Sequence, residues 1–301
     1  MIPSQRAYIK LSLLVLTIIA TTASSVCYAG AAFVGYSQSE QSTLVSNQIL
    51  GFSPKGTSAL LSFDLTQDWS LSVDYTKLND TQIAVNNATG ELEVSSWGVG
   101  VSRYVNDWSI SLSYSDWHDD LVILLNNNLV FLDQATRSPS TSFSVAYDWE
   151  QGSWQFGLSA GAHYSDWQQI SFSPDRTNIN PQSIDEGKST FISIALSTAK
   201  LIEIEQVGNM IIGSSFSWNQ LTDSDSMAVS RNGRNISRIS NRTSSNISNI
   251  AGIIGTESYG QLSFYLSYDI TDNVSVDVES TFDVGGEQNT QAWSLNFGYF
   301  F

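Results

Sequence analysis

The sequence predicts an all-β chain closed into an antiparallel up-and-down transmembrane β-barrel of about twelve strands, with roughly 10 or 14 as the alternatives. Three observations predict it. From residue 58 to the end, apolar residues alternate with small or polar ones in segment after segment. Short and long connections alternate between those segments. The closing stretch carries Trp293, Leu295, Phe297, Tyr299 and Phe301 at every odd position, with small or polar residues at most even ones. A strand sends alternate side chains to opposite faces, so this last segment has one continuously apolar face. A sandwich in water would rarely leave such a face on its final strand unpaired. A closed barrel in lipid requires it, paired edge to edge with the first strand.

Composition agrees. Only 14% of residues are charged, and beyond the N-terminus no apolar run reaches the about 20 residues that a transmembrane helix needs. Any membrane crossing is therefore made by strands. The formal net charge is −16. Without Arg6 and Lys10, which fall in the presumed leader, about 11 basic groups face 29 acidic ones. A nucleic-acid partner is excluded by that balance. Acidity instead keeps loops solvated and favours cations in any lumen.

Taken in order, Arg6 and Lys10 precede the apolar run 11–20, then small residues with cleavage points after Ala29 or Ala31. This reads as a secretory signal peptide over 1–29, leaving 30–301 as the barrel domain. Cys27 is the sole cysteine, and Val26 before it departs from the small residue that a lipid-anchor site wants. Cleavage after Ala29 leaves no cysteine, so disulfides and thiolate chemistry are excluded. Residues 33–38 form a short candidate first strand, followed by a polar and mixed stretch to Lys55.

The alternation then sharpens. Ala59, Leu61, Phe63 and Leu65 share a face, as do Trp69, Leu71, Val73 and Tyr75 after a turn at 66–68. Trp97, Val99 and Val101 lead through a turn at 106–107 to Trp108, Ile110, Leu112 and Tyr114. Phe143 to Trp149 and Trp154 to Tyr164 follow the same parity, then Ile192 to Leu196, and Ile212, Phe216 and Trp218. Leu262 to Tyr268, Val274 to Val278 and the terminal segment complete the set. Opposite them lie mostly Ser and Gly, the inverse of a soluble core and the pattern a lipid-embedded barrel requires. The short connections fall at 66–68, 106–107, 150–153, 207–209 and 271–273; the long polar links fall at 79–91, 118–140, 168–189, 222–257 and 284–289. Because the chain ends on a strand, the short turns and both termini are expected on the periplasmic side and the long links outside the cell. Two repeats support hairpin construction. Phe63-Asp64-Leu65, Tyr147-Asp148-Trp149 and Tyr268-Asp269-Ile270 each precede a tight polar turn, and Tyr114-Ser115-Asp116-Trp117 recurs as Tyr164-Ser165-Asp166-Trp167. Aromatics at these levels suit the two headgroup belts.

The ending Trp293, Leu295, Phe297, Tyr299, Phe301 resembles the C-terminal signature of Gram-negative outer-membrane β-barrels, including porin-like ones. That resemblance implies an outer-membrane location, with the barrel-assembly machinery, periplasmic chaperones, membrane lipid and lipopolysaccharide as partners.

Candidate chemistry is sparse. His163-Tyr164-Ser165 is similar to the His-x-Ser pair of some outer-membrane lipid hydrolases, and a Ser beside a His is a sound nucleophile design. Here parity puts both on the lumen face, whereas those enzymes present the pair to lipid, and the sister strand reads Ser113-Tyr114-Ser115. A lumen-lining histidine is the plainer reading. His118-Asp119-Asp120 and Asp223 with Asp225 gather carboxylates, but no metal-ligand spacing is present, so solvated acids are expected and neither a metal nor a cofactor is. Arg231, Arg234, Arg238 and Arg242 fall within 222–257, where guanidinium forks suit lipopolysaccharide phosphates or a constriction over an acidic lumen. The apolar residues flanking Asn126-Asn127-Asn128 suggest a hairpin that extends the wall, or a partner-binding tip.

The expected function is a narrow porin-like channel for small hydrophilic solutes, with Asp74, Glu203, Asp277 and Glu279 lining the lumen beside His163 and setting a cation preference. A lipid hydrolase using His163 and Ser165 is one alternative, and an adhesion or structural barrel acting through its loops is another. An autotransporter translocation unit is disfavoured, because 30–301 leaves no room for a passenger and a pore-threading helix.

Overall fold

A computed structural model describes residues 29–45, 48–83, 89–124, 130–172, 182–204, 208–224, 231–232, 258–284 and 291–301. The leader expected over 1–29 lies outside them except for Ala29, which opens the first strand. The strands are β1 (Ala29–Ser39), β2 (Gln41–Val45), β3 (Gln48–Phe52), β4 (Lys55–Asp64), β5 (Trp69–Ile83), β6 (Thr89–Val105), β7 (Trp108–Leu124) and β8 (Val130–Gln151). They continue as β9 (Trp154–Phe172), β10 (Gln182–Ile204), β11 (Gly208–Ser224), β12 (Arg231–Asn232), β13 (Tyr259–Thr271), β14 (Val274–Val284) and β15 (Gln291–Phe300).

Twelve of these close an antiparallel barrel in the order β1-β15-β14-β13-β11-β10-β9-β8-β7-β6-β5-β4. Closure is made by the strand that the sequence singled out. β15 pairs with β1 from Ala31↔Phe300 to Ser39↔Ala292, so neither end presents an unpaired edge. The remaining three strands form a separate small sheet, β12-β2-β3. Short turns are built by residues that tolerate their backbone: Asn106 (φ 54°) and Gly152 (φ 64°) both occupy left-handed conformations.

The outward face around the middle of the wall is apolar and exposed, with Val73, Val99, Leu112, Phe143, Leu158, Ile194, Phe264 and Phe297 among its members. In a soluble protein such a surface would be a liability; in lipid it is the solvent-facing side. Aromatics lie near both rims of this band. Trp108 and Tyr147 stand 5.0 Å apart between ring centroids at the short-turn end, and Trp97 and Tyr114 stand 5.5 Å apart at the other.

The structure corrects the reading of three long links. Residues 79–91, 118–140 and 168–189 are mostly strand: β5 runs on to Ile83 before β6 begins at Thr89, β7 reaches Leu124 before β8 begins at Val130, and β9 reaches Phe172 before β10 begins at Gln182. Only about 9–11 tilted residues cross a bilayer. Strands of 17 to 23 residues, as β6 to β11 are, therefore project well beyond it. β1, β4, β14 and β15 have only 10 or 11 residues, so the wall is tall on one side and low on the other. The wall-extension reading of the segment around residue 121 holds for Leu121 to Leu124 and Val130 to Leu132, while Asn126 to Asn128 lie outside the described residues.

Along β5, β6 and β7 the polarity of the two faces is exchanged in the tall wall, while on β9 and β10 Ile170, Phe172 and Ile184 remain exposed on the outside. Lys77, Glu93, His118 and Gln168 point outward, with Lys77 bonded to Glu93 at 2.6 Å across the strands. Leu78, Leu92, Val94, Trp117, Leu121 and Ile123 point inward and pack into one buried cluster with Phe52 of β3. The parity is unchanged and only the solvent outside has changed, from lipid to water.

Candidate functional site

The interior holds a cavity of about 1190 Å³. It reaches the short-turn mouth, where Gln67, Asn106, Asp107 and Glu150 border it, and extends inward to Ser142, His163, Phe191, Asn219 and Tyr259. Its middle is lined by hydroxyls and glycines, including Ser72, Gly100, Ser111, Ser113 and Ser193. Lumen positions carry these residues because neighbouring strands leave little room there. A Cβ on Gly98 would come within 2.5 Å of Asp74 Oδ1. Ser102 and Ser111 join hydroxyls at 2.8 Å, Ser115 and Ser140 at 2.7 Å, and Ser138 and Ser165 at 2.7 Å. Such cross-strand bonds satisfy polar side chains that would otherwise be buried alone.

Beyond the level of His163 the interior is filled. Leu78 and Leu121 are 0% exposed and Phe52 is 2% exposed, and at the inner limit of the cavity Phe191 and Tyr259 pack edge to face with Leu221 beside them. The cavity is thus open at one mouth and blind at the other.

Five residues were expected to line the lumen, and the structure distributes them. His163 borders the cavity, its Nδ1 2.6 Å from Ser142 Oγ. Asp74, Asp277 and Glu279 face inward but are not among the residues that line the cavity; Asp277 and Glu279 are buried in the packing of β13 to β15 and β1. Glu203 is exposed at the short-turn end of β10 and does not border the cavity either. The acids that do line it are Asp64, Asp107, Asp148 and Glu150, around the mouth, and no Lys or Arg stands among the described lining residues. The Asp that precedes each tight turn was read only as a turn feature. Its place one strand residue inside the mouth is the signal that would have found Asp64 and Asp148.

The His-x-Ser pair is not assembled as a nucleophile and base. His163 bonds Ser142 on β8, Ser165 Oγ bonds Ser138 Oγ, and the Nε2 of His163 is buried with no hydrogen-bond partner among the described residues. Arg234, Arg238 and Arg242 lie outside the described residues. Arg231 lies in β12, whose backbone pairs with β2 through Arg231↔Thr43. Of the acid clusters, His118 Nε2 stands 3.4 Å from Asp120 on the exposed outer wall, and no metal-holding group occurs among the described residues.

The terminal signature faces outward. Trp293, Phe297 and Tyr299 are exposed, Trp293 packs on Tyr36 of β1, and Phe301 packs on Phe63 and Tyr299. Phe301 also exchanges two backbone hydrogen bonds with Gly30, at 2.9 and 3.0 Å. Sequence reasoning missed the other face of this strand. Phe300 points into the mouth and meets Phe33 edge to face, with Leu60 paired to Phe33 across β1 and β4.

A closed antiparallel barrel with an apolar outer band and a polar interior defines the class: the fold is that of an outer-membrane β-barrel. No family model matches the chain, and no curated protein does. Among solved structures, the translocator domain of the autotransporter NalP from Neisseria meningitidis is similar over 98% of this chain and 96% of its own, with a TM-score of 0.57 at 8% identity. The β domain of the Bordetella autotransporter BrkA is similar over 90% of this chain and 98% of its own, with a TM-score of 0.57 at 10% identity. At such identities the likeness is one of fold.

Proposed function

We propose that this chain is an outer-membrane channel of narrow bore for small hydrophilic solutes, with a preference for cations, seated with its short turns and both termini in the periplasm. The observation that carries the reading is the cavity itself, lined by hydroxyls and entered past four carboxylates, with no Lys or Arg among the described lining residues. Small polar walls leave space for water, and a ring of one sign in a low-dielectric mouth concentrates counter-ions. The acids expected to set selectivity from the sequence are replaced in this role by Asp64, Asp107, Asp148 and Glu150, which the cavity reaches. On this reading lipid and lipopolysaccharide contact the outer band, and assembly runs through the periplasmic chaperones and the barrel-assembly machinery that read the terminal aromatic strand.

The test is a planar-bilayer recording of the refolded protein under a salt gradient. Discrete current steps with a cation-selective reversal potential support the channel, and Asp107→Asn with Asp148→Asn lowers the selectivity. A correctly folded, heat-modifiable barrel that passes no current, even with the interior beyond His163 opened by substitution, refutes it.

A further inference from the structure

We propose that the β2–β3 hairpin is a closing element latched into the blind end of the barrel by Phe52, so that the pore is shut in this state and opens when Phe52 leaves its seat. The hairpin does not belong to the wall. It interrupts the connection from β1 to β4, which pair directly with each other from Ala29↔Asp64 to Gln38↔Lys55. Two strands joined in that register need only a tight turn, so a fifteen-residue detour requires another reason.

The detour turns inward. The Phe52 ring lies over Gly90, where a Cβ would meet it at 2.9 Å, and Gly90 is on the inner face of β6 beside Leu92 and Val94. Phe52 is thereby buried against the inner wall made by β5, β6 and β7. The exit of the hairpin is pinned next to it, with the Ser53 amide donating to Asp80 Oδ2 at 2.7 Å on β5 and Pro54 fully buried. Its entry is pinned to the low side of the barrel, where the Glu40 amide donates to the Gln291 carbonyl at 2.8 Å and Gln291 Nε2 donates to Glu40 Oε1 at 2.6 Å. The hairpin also receives a third strand from elsewhere: Arg231 and Asn232 of β12 pair with Thr43 and Ser42 of β2. A segment that connects β11 to β13 is thus held to a segment that connects β1 to β4. On β5, β6 and β7 the cavity stops at Ser72, Gly100 and Ser113, and the Phe52 layer lies further along the same strands, past the buried Thr76, Ser96 and Ser115.

The attachment is of a kind that can be released. Among the described residues the hairpin is held by the Phe52 side chain, the Ser53 bond to Asp80, the Glu40 contacts with Gln291 and a two-residue pairing, whereas the wall strands beneath it are each paired along their length. Segments with few contacts open well below the free energy of global unfolding. The consequence for flux rests on the channel reading; the latch itself does not.

The experiment therefore reads the two separately. In the full chain carrying Cys27→Ser, single cysteines are placed at Val94, on the wall beneath Phe52, and at Ser113, in the cavity, and the refolded barrels are treated with a small polar thiol reagent. The Val94→Cys thiol is expected to react at least tenfold more slowly than the Ser113→Cys thiol. Phe52→Asp raises the first rate at least tenfold and leaves the second unchanged, and the same substitution raises single-channel current. Phe52→Ser serves where the aspartate variant does not give a heat-modifiable barrel. Equal labelling at the two positions with Phe52 in place, or a Val94→Cys rate that neither substitution changes, overturns the latch. Faster labelling with unaltered current overturns its role as a closing element and leaves the channel standing. Current in no variant refutes the channel, and the labelling rates still decide the latch.

Discussion

At the scale of single residues, the outer and inner surfaces of this barrel obey different rules, and two substitutions separate them. Asp116 is only 8% exposed although it lies on the outer face, and Arg137 makes a forked contact with it, from Nε at 3.0 and 3.1 Å to the two carboxylate oxygens with a further bond from Nη2. Arg137→Ala leaves a desolvated carboxylate without its partner and should cost about 1–3 kcal/mol, more than the pair is worth in net stability. The double variant Asp116→Asn with Arg137→Ala should recover most of that loss in urea titrations of the refolded protein; equal destabilisation by both would place the energy in the arginine's packing instead. Leu121 tests the opposite surface. It is fully buried and faces inward above the lipid band, so Leu121→Ala should lower stability by about 2–5 kcal/mol, as a core truncation does. A loss under about 0.5 kcal/mol, in the range of surface positions, would mean that the upper interior is not a packed core.

At the scale of elements, the lipid-crossing part of each strand was legible because one rule, apolar outward and small polar inward, runs unbroken for eight to ten residues. The same strands were lost above the band. In Lys77-Leu78-Asn79-Asp80 and Glu91-Leu92-Glu93-Val94 the alternation is intact, but the apolar member has moved to the inner face, so a search for outward apolar residues reads a polar link. The period carries the strand, and the sign of the period carries the solvent outside it. β2 and β3 were illegible for another reason: they belong to no long ladder, and a five-residue strand has too few alternations to stand out. The terminal strand permits a direct test of the outward rule. Phe297 is 58% exposed in the middle of β15, between Val34 and Val276 on its two neighbours. Phe297→Arg should cost about 2–4 kcal/mol in urea titrations from lipid vesicles, the depth-dependent penalty of a cation at the bilayer midplane. Tyr299→Arg, two residues nearer the mouth, should cost about 0–1 kcal/mol on the same scale. Equal penalties at the two positions would put the lipid band elsewhere on the wall.

At the scale of the whole molecule, net acidity was plain in the sequence but its place was not, because inward parity alone does not say whether a carboxylate meets water or packed wall. Asp277 and Glu279 have the right parity and are buried, while Asp64, Asp107, Asp148 and Glu150 gather at the mouth only once the turns of separate hairpins are brought round into one ring. That ring makes the selectivity of the proposed channel dependent on pH, in a direction fixed by its members. The mouth should therefore be most negative, and most cation-selective, at neutral pH and above. Selectivity should decline as the ring takes up protons on acidification. Asp64→Asn removes one of the four charges of the ring, and selectivity at pH 7 should fall modestly while keeping the same direction of pH dependence. Reversal potentials measured across a salt gradient from pH 7 down to about 3.5 follow both curves. If they do not move toward zero on acidification, carboxylates at the mouth do not set the ion preference, and the preference would have to arise deeper, where Ser142, His163, Ser193 and Asn219 share the lining with Phe191 and Tyr259.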